Sequence, residues 1–453
     1  MIRTTMFAAT ALLFATPAFA QSQADLDARY DRALAAGYKA LFLCSAIANA
    51  ELVGAERSVE SVERWELTGI QSPLDGIVAE LPAQIERGED GLIDFVAVAW
   101  SDDMPPRLAQ HFPDRGCRTM PVGMAPPAPD SEMFVRNAVR DDRLAMHAPI
   151  AEPSPVAQLA FDGDYGADAR TTAAVILRGG KLVSEHYGPD HGPRVPQRTW
   201  SVAKSIAATL VGAAVQRGKA DVMQSAGLGL SEIDPRRAIT IDDALRMATG
   251  RYSDTPGNST DPLYFGGTSV SERAANWPLV SEPGTVFRYA NNDTLMAIAA
   301  ISVTFDEHPP AQVLNRIGMQ LTIPETDWQG DYVLSSQVWA TARDLATLGQ
   351  LHLQDGVWDG ERILPEGWVD YISRPDGPQP GGAREWSYGA GWWLLNRSEG
   401  IPADTYMAAG NRGQYIVVVP ERDIVIVRRG EDPAGGGGFD IEAFTRDVLA
   451  ALD

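Results

Sequence analysis

Ser201 and Lys204 open a run, Ser201 to Val215, that is apolar on nearly every face. Such a run predicts a helix buried all round. Positions i and i+3 lie one turn apart on the same helix face, so Lys204 would stand beside the Ser201 hydroxyl inside the protein. An ammonium buried without a partner is costly, and the amine then sheds its proton or finds a partner. A neutral amine beside a hydroxyl at a helix N-terminus is a base beside a nucleophile, and the first N–H groups of the helix begin an oxyanion hole. Lysine stands only at positions 39, 181, 204 and 219, so a chance S-x-x-K is uncommon. The plainer reading makes Ser201 an N-cap and Lys204 a solvated first-turn residue. A lysine there opposes the helix macrodipole, which counts slightly against it.

A second group is Tyr289-Ala290-Asn291, preceded by Glu282-Pro283-Gly284-Thr285-Val286-Phe287-Arg288. By itself Y-x-N is a weak signal and reads first as a turn tyrosine with a capping asparagine. No histidine pair among the six has metal-ligand spacing, so neither metal nor cofactor is expected.

The elements that must position these residues follow from patterning. Thr172–Leu177 and Leu182–Tyr187 flank the turn Arg178-Gly179-Gly180-Lys181 and predict a hairpin. Gln414–Pro420 and Asp423–Arg428 predict another, and Phe444, Val448 and Leu452 mark a closing helix over 440–452. Helices and loops fill the span from Ser201 to about Tyr371, which implies an antiparallel sheet whose ends bracket a helical lobe. Ahead of these lies a first region, with a helix over 23–49 (Leu26, Tyr30, Leu34, Tyr38, Leu41, Phe42) and a strand over 93–100. Proline-rich stretches at 121–129 and 149–155 place a boundary near residue 150. The expected domains are therefore 1–20, 21–150 and 151–453. The first region's residues nominate no chemistry; it could brace the sheet, cover a cleft or dock a partner.

Residues 1–20 have the form of a signal peptide: Arg3, the apolar run Met6–Ala15, then Ala18-Phe19-Ala20 before Gln21. Export, periplasmic or secreted, is the expectation. No later stretch approaches about 18 consecutive apolar residues, so no membrane anchor is expected after cleavage. Cys44 and Cys117 are the only cysteines, and an oxidising compartment favours pairing them, with two buried thiols as the alternative. The loop so closed would contribute about 4 kcal/mol in chain-entropy terms. A formal net charge of −22 disfavours nucleic acid and anionic lipid as partners. Oligomeric state is left open.

S-x-x-K at Ser201, followed by Pro-Gly-x-x-Phe-x-Tyr-x-Asn ending at Asn291, resembles the serine β-lactamase and penicillin-binding-protein family. The similarity is to its class C β-lactamase, esterase and 6-aminohexanoate-dimer hydrolase branch. Ile239–Gly250, Ala340–Ala346, Tyr388–Trp393 and Gly410–Gln414 extend it over roughly 170–450. The resemblance implies an α+β fold: a β-lactamase-like antiparallel sheet flanked by terminal helices, with an inserted all-helical lobe, here beside a small N-terminal cystine-containing region. It implies acylation of Ser201, proton acceptance by Lys204, and proton relay and water activation by Tyr289. Asn291 would hold Lys204 or the substrate. One oxyanion donor would be the Ser201 N–H, the second coming from the strand near Ala408 and Ala409. Gly410 and Asn411 stand where that strand lines the site.

The family's Lys-Thr-Gly or His-x-Gly motif is missing from 405–414, which puts β-lactam recognition in doubt. Arg412 reads as an exposed loop arginine, with supply of positive charge as the alternative. Tyr252 and Asp254 read as turn residues, in a position where that branch has a substrate-closing loop. The expected activity is cleavage of a small-molecule amide or ester through an acyl-enzyme. A D,D-peptidase, or a binding protein retaining the fold, are the competing readings.

Overall fold

The computed structural model describes residues 21–112, 115–125, 154–254, 259–381 and 386–453. The expected leader, most of the proline-rich linker and the boundary near residue 150 lie outside the described residues.

Ser22 starts helix α1 (Gln23–Leu52) with a capping box: its side chain accepts the Asp25 N–H, and the Asp25 carboxylate accepts the Ser22 N–H. From Ala33 to Ala50 every residue of α1 is buried. One side packs on an antiparallel sheet of β1 (Ala83–Arg87), β2 (Ile93–Val98), β3 (Arg107–Phe112) and β4 (Gly116–Thr119). Cys44 on α1 and Cys117 on β4 form the expected disulfide, with Cα atoms 6.1 Å apart. Two short helices, α2 (Val59–Trp65) and α3 (Asp75–Val78), complete this region. By length and mean hydropathy α1 could cross a membrane, although Lys39 interrupts its apolar run, and its apolar window is wholly buried in the protein. A helix apolar all round needs cover on every side, and here protein supplies it.

Part of that cover comes from the rest of the chain. Tyr38 and Phe42 pack on Phe265, Trp200 and Trp339, and these residues share one hydrophobic core. Gly37 permits the approach, since a Cβ there would sit 1.9 Å from the Phe265 carbonyl oxygen.

The main sheet begins with the hairpin β5 (Thr171–Arg178) and β6 (Lys181–Tyr187), turning on Gly179 and Gly180, both left-handed. A small sheet joins β7 (Gln197–Arg198), β8 (Ile323–Pro324) and β9 (Val338–Ala340), and β10 (Val357–Trp358) pairs with β11 (Glu361–Arg362). Then follow β12 (Ser387–Tyr388), β13 (Trp393–Leu394), β14 (Tyr406–Gly410), β15 (Gln414–Val419) and β16 (Ile424–Gly430). The seven-stranded order is β12-β13-β14-β15-β16-β5-β6, antiparallel throughout.

Between β6 and β12 come α4 (Val202–Gln216), α5 (Ile241–Leu245), α6 (Asp261–Tyr264), α7 (Val270–Ala274), α8 (Asn291–Ile301), α9 (Pro310–Arg316), α10 (Ala342–Leu353) and α11 (Trp368–Ile372). The last element, α12 (Ile441–Ala451), covers the opposite face of the sheet.

Strand alternation sorts the two cores. Val175, Leu177, Ile416, Val418, Val425 and Val427 face α4 and α10. Their neighbours Ala174, Ile176, Val417, Val419, Ile424 and Ile426 face Phe444 and Val448 of α12. Burial of each larger side chain contributes about 1.5–3 kcal/mol. The fold is the expected α+β arrangement.

Candidate active site

The site forms where β7 runs into α4. Strand β7 pairs with β9, and the Thr199 N–H donates to the Val338 carbonyl at 2.8 Å. Trp200 then turns the chain with φ +48°, a left-handed conformation that a bulky side chain seldom adopts. This turn delivers Ser201 at the N-cap of α4. Buried on all sides, α4 is fixed in depth by Gly212, where a Cβ would meet the Trp368 indole at 2.5 Å.

Lys204, only 1% exposed, lies one turn into α4. Its Nζ is 2.9 Å from Ser201 Oγ, 2.7 Å from Asn291 Oδ1 and 3.0 Å from the Ser335 carbonyl oxygen. Burial pushes the amine down to about 7, while the negative charge of Asp254 pulls the other way. The solvated reading of Lys204 is therefore excluded. Asn291 is oriented by its other amide atom, since Nδ2 donates to Thr260 Oγ1 at 2.8 Å. A buried pair, Arg251 with Asp293 at 2.8 Å, ties the segment after Gly250 to α8.

Lys204 Nζ lies 4.9 Å from the centre of the half-buried Tyr289 ring. That ring stacks on Trp393 at 5.5 Å and meets Tyr388 edge-on at 6.1 Å. Burial pushes the Tyr388 phenol well above its ordinary range.

Opposite the start of α4 runs the end of β14. A Cβ on Gly410 would be 2.5 Å from the Thr199 carbonyl oxygen and 3.1 Å from the Ser201 amide nitrogen. Glycine is required by this approach. Ala408, two residues back on the same face, is buried in the core beneath. Asn411 is exposed, and its Oδ1 accepts the Arg412 N–H at 3.0 Å.

The structure thus gathers Ser201, Lys204, Tyr289, Asn291 and Gly410, with Ala408 behind them. Tyr252 sits at the surface, 47% exposed. Asp254, two residues on, is a turn residue at φ +53° that also reaches the site: its Oδ2 accepts the Asn292 N–H at 2.9 Å.

Arg412 corrects the sequence reading. It is 4% exposed, and its guanidinium donates to the carbonyls of Trp65, Glu66 and Thr68 and pairs with Glu431. A turn position in a sequence carries no sign of what will later cover it. It offers no charge to the site. Ser335 and Thr260 were missed: Ser335 acts through its backbone carbonyl, and neither stands in a motif.

The Beta-lactamase family model matches residues 156–429. A 6-aminohexanoate-dimer hydrolase of Paenarthrobacter ureafaciens is 26% identical over 297 residues, covering 57% of this chain and 72% of that protein. Among solved structures, a Bacillus anthracis protein provisionally assigned as a 6-aminohexanoate-dimer hydrolase superposes with TM-score 0.54 at 22% identity, covering 63% of this chain and 79% of its own. A penicillin-binding-protein homologue from Caulobacter crescentus gives TM-score 0.50 at 15% identity, over 67% of this chain and 100% of its own. At such identities the structural likeness speaks for the fold.

Proposed function

Since the chain belongs to the β-lactamase family of serine hydrolases, we propose that it cleaves a small amide or ester through an acyl-enzyme on Ser201. The observation that carries this reading is the buried Lys204 amine 2.9 Å from Ser201 Oγ, held down to about 7. In its neutral form the amine donates to Asn291 Oδ1 and the Ser335 carbonyl, leaving its lone pair for the serine proton. Oγ attacks the substrate carbonyl as that proton passes to Nζ. The oxyanion is met by the Ser201 N–H and a backbone N–H at the end of β14 beside Gly410. Tyr289 passes a proton to the departing amine or alcohol, leaving an ester on Ser201. Water, deprotonated through Tyr289 and Lys204, then attacks that ester, and the acid leaves with Ser201 restored.

The acyl group this reading favours carries no carboxylate. Where a substrate carboxylate would need a cation, β14 presents Ala408, Ala409 and Gly410, and Arg412 is turned into the protein. Poor turnover of β-lactams, which carry such a carboxylate, is the corollary. The Cys44–Cys117 disulfide supports an oxidising, exported location.

The test is a panel of p-nitrophenyl esters, ω-amino-acid amides and cephalosporins, run on the native chain and Ser201→Ala. Hydrolysis of an ester or amide that Ser201→Ala loses, with Ser201 labelled by a fluorophosphonate, is the expected result. Equal turnover by Ser201→Ala would refute the assignment.

A further inference from the structure

Both halves of the proposed oxyanion hole are gripped by residues that lie outside the family match at 156–429. On the nucleophile side, the strained Trp200 immediately before Ser201 packs against Phe42 of α1, ring centres 5.9 Å apart. The Arg198 guanidinium lies over both rings, 5.1 Å from Phe42 and 4.2 Å from Trp200. Phe42 is itself fixed by stacking on Tyr38 at 4.3 Å and by Trp339 at 5.9 Å.

On the strand side, Gly410 leads into a three-residue turn that returns at Gln414. Two of those residues are left-handed, Arg412 at φ +58° and Gly413 at φ +79°. The Arg412 side chain donates to Glu66 O at 2.8 Å, Trp65 O at 3.1 Å and Thr68 O at 2.6 Å, all at the end of α2 or just past it. It also pairs with Glu431 at 3.1 Å, and both side chains are fully buried. A left-handed arginine with this many acceptors holds one conformation. Two residues upstream of it, Gly410 abuts the Ser201 amide.

We propose that the N-terminal region is a brace for catalysis, with Phe42 and Arg412 as positioning residues that set the spacing between the Ser201 N–H and the end of β14. The inference rests on the acyl-enzyme reading given above. An oxyanion hole works only if its donors are held where charge develops, and misplacement by about 1 Å costs up to about a hundredfold in rate. Neither residue touches substrate, so the brace acts on the transition state and leaves ground-state binding alone.

Arg412→Lys keeps a charge for Glu431 and gives up the planar fork that reaches three carbonyls. Phe42→Leu keeps an apolar side chain and removes the ring from Trp200. In the full-length chain, each folded variant is expected to lose about 10- to 100-fold in kcat with KM within about twofold of native. Each should also lose a similar factor in affinity for a boronic acid that forms a tetrahedral adduct on the serine. Val96→Ala, which shares the buried core with Phe42 but makes neither the Trp200 contact nor the Arg412 hydrogen bonds, is the control: a lower melting temperature with native kcat. Native kcat in either folded variant would overturn the proposal, as would an equal loss in Val96→Ala. If Arg412→Lys does not fold, Phe42→Leu decides. Ser201→Ala in the same assay separates the two levels: if inactive, the acyl-enzyme reading stands whatever the brace variants do. If active, both fall.

Discussion

Lys204 is legible in the sequence because its chemistry is forced by burial, and burial is forced by the apolar run around it. An amine only 1% exposed has lost the hydration that keeps lysine charged, which is why it is held down to about 7. On the acyl-enzyme reading the neutral amine is the active form, so activity should be low below the shifted value and rise as pH passes through about 7. A kcat/KM profile of ester hydrolysis with a single ascending limb near neutrality is the expected outcome; a limb near 10 would mean that burial does not depress the amine, and a flat profile that the lysine is not the base. Lys204→Arg, which stays charged at every working pH, should reduce kcat at least about a thousandfold. Gly410 makes a different prediction. Gly410→Ala places a methyl 2.5 Å from the Thr199 carbonyl oxygen, which must push β14 away from Ser201. A kcat loss of about a hundredfold, with little change in KM, is expected from steady-state kinetics. Among the residues of the site, Ser201, Lys204, Tyr289 and Asn291 were readable because they stand in motifs, and Thr260, whose hydroxyl accepts from Asn291, was not. Ser335, contributing only a backbone carbonyl, was not, since every residue has one.

At the scale of elements, the hairpins, α4 and α12 follow from periodicity and turn glycines, and their bounds fall close to the expected ones. What periodicity leaves open is how elements dock. Glu325 illustrates this. Its Oε1 accepts Ser45 Oγ at 2.7 Å and the Cys117 N–H at 2.9 Å, and its Oε2 accepts the Trp339 indole N–H at 3.0 Å. One carboxyl thus bridges α1, β4 and β9, and burial pushes it up to about 7. Glu325→Ala would strand several buried donors, with a cost of at least about 3 kcal/mol, measurable by urea denaturation. Gly37→Ala, whose Cβ would meet the Phe265 carbonyl oxygen at 1.9 Å, should lift α1 off the lobe and lower the melting temperature.

For the whole molecule, the N-terminal region and the rest of the chain share a hydrophobic core. Leu34, Tyr38 and Phe42 share one cluster with Trp200, Phe265 and Trp339. A chain beginning at residue 154 would expose that surface, and it should be recovered aggregated or bind 8-anilinonaphthalene sulfonate strongly; a monomeric, active fragment would contradict the shared core. Reducing Cys44–Cys117, or replacing both with alanine, should cost about 2–5 kcal/mol by thermal melt. By itself the sequence determined the hairpins, the family of serine hydrolases and the candidates Ser201 and Lys204 for nucleophile and base, because these depend on residue type and on spacings within single elements. Tertiary structure alone decided that Arg412 is a buried clamp, that Trp200 is strained, and that α1 is a core helix. Each of those depends on atoms far along the chain arriving at one place, and no local pattern encodes their arrival.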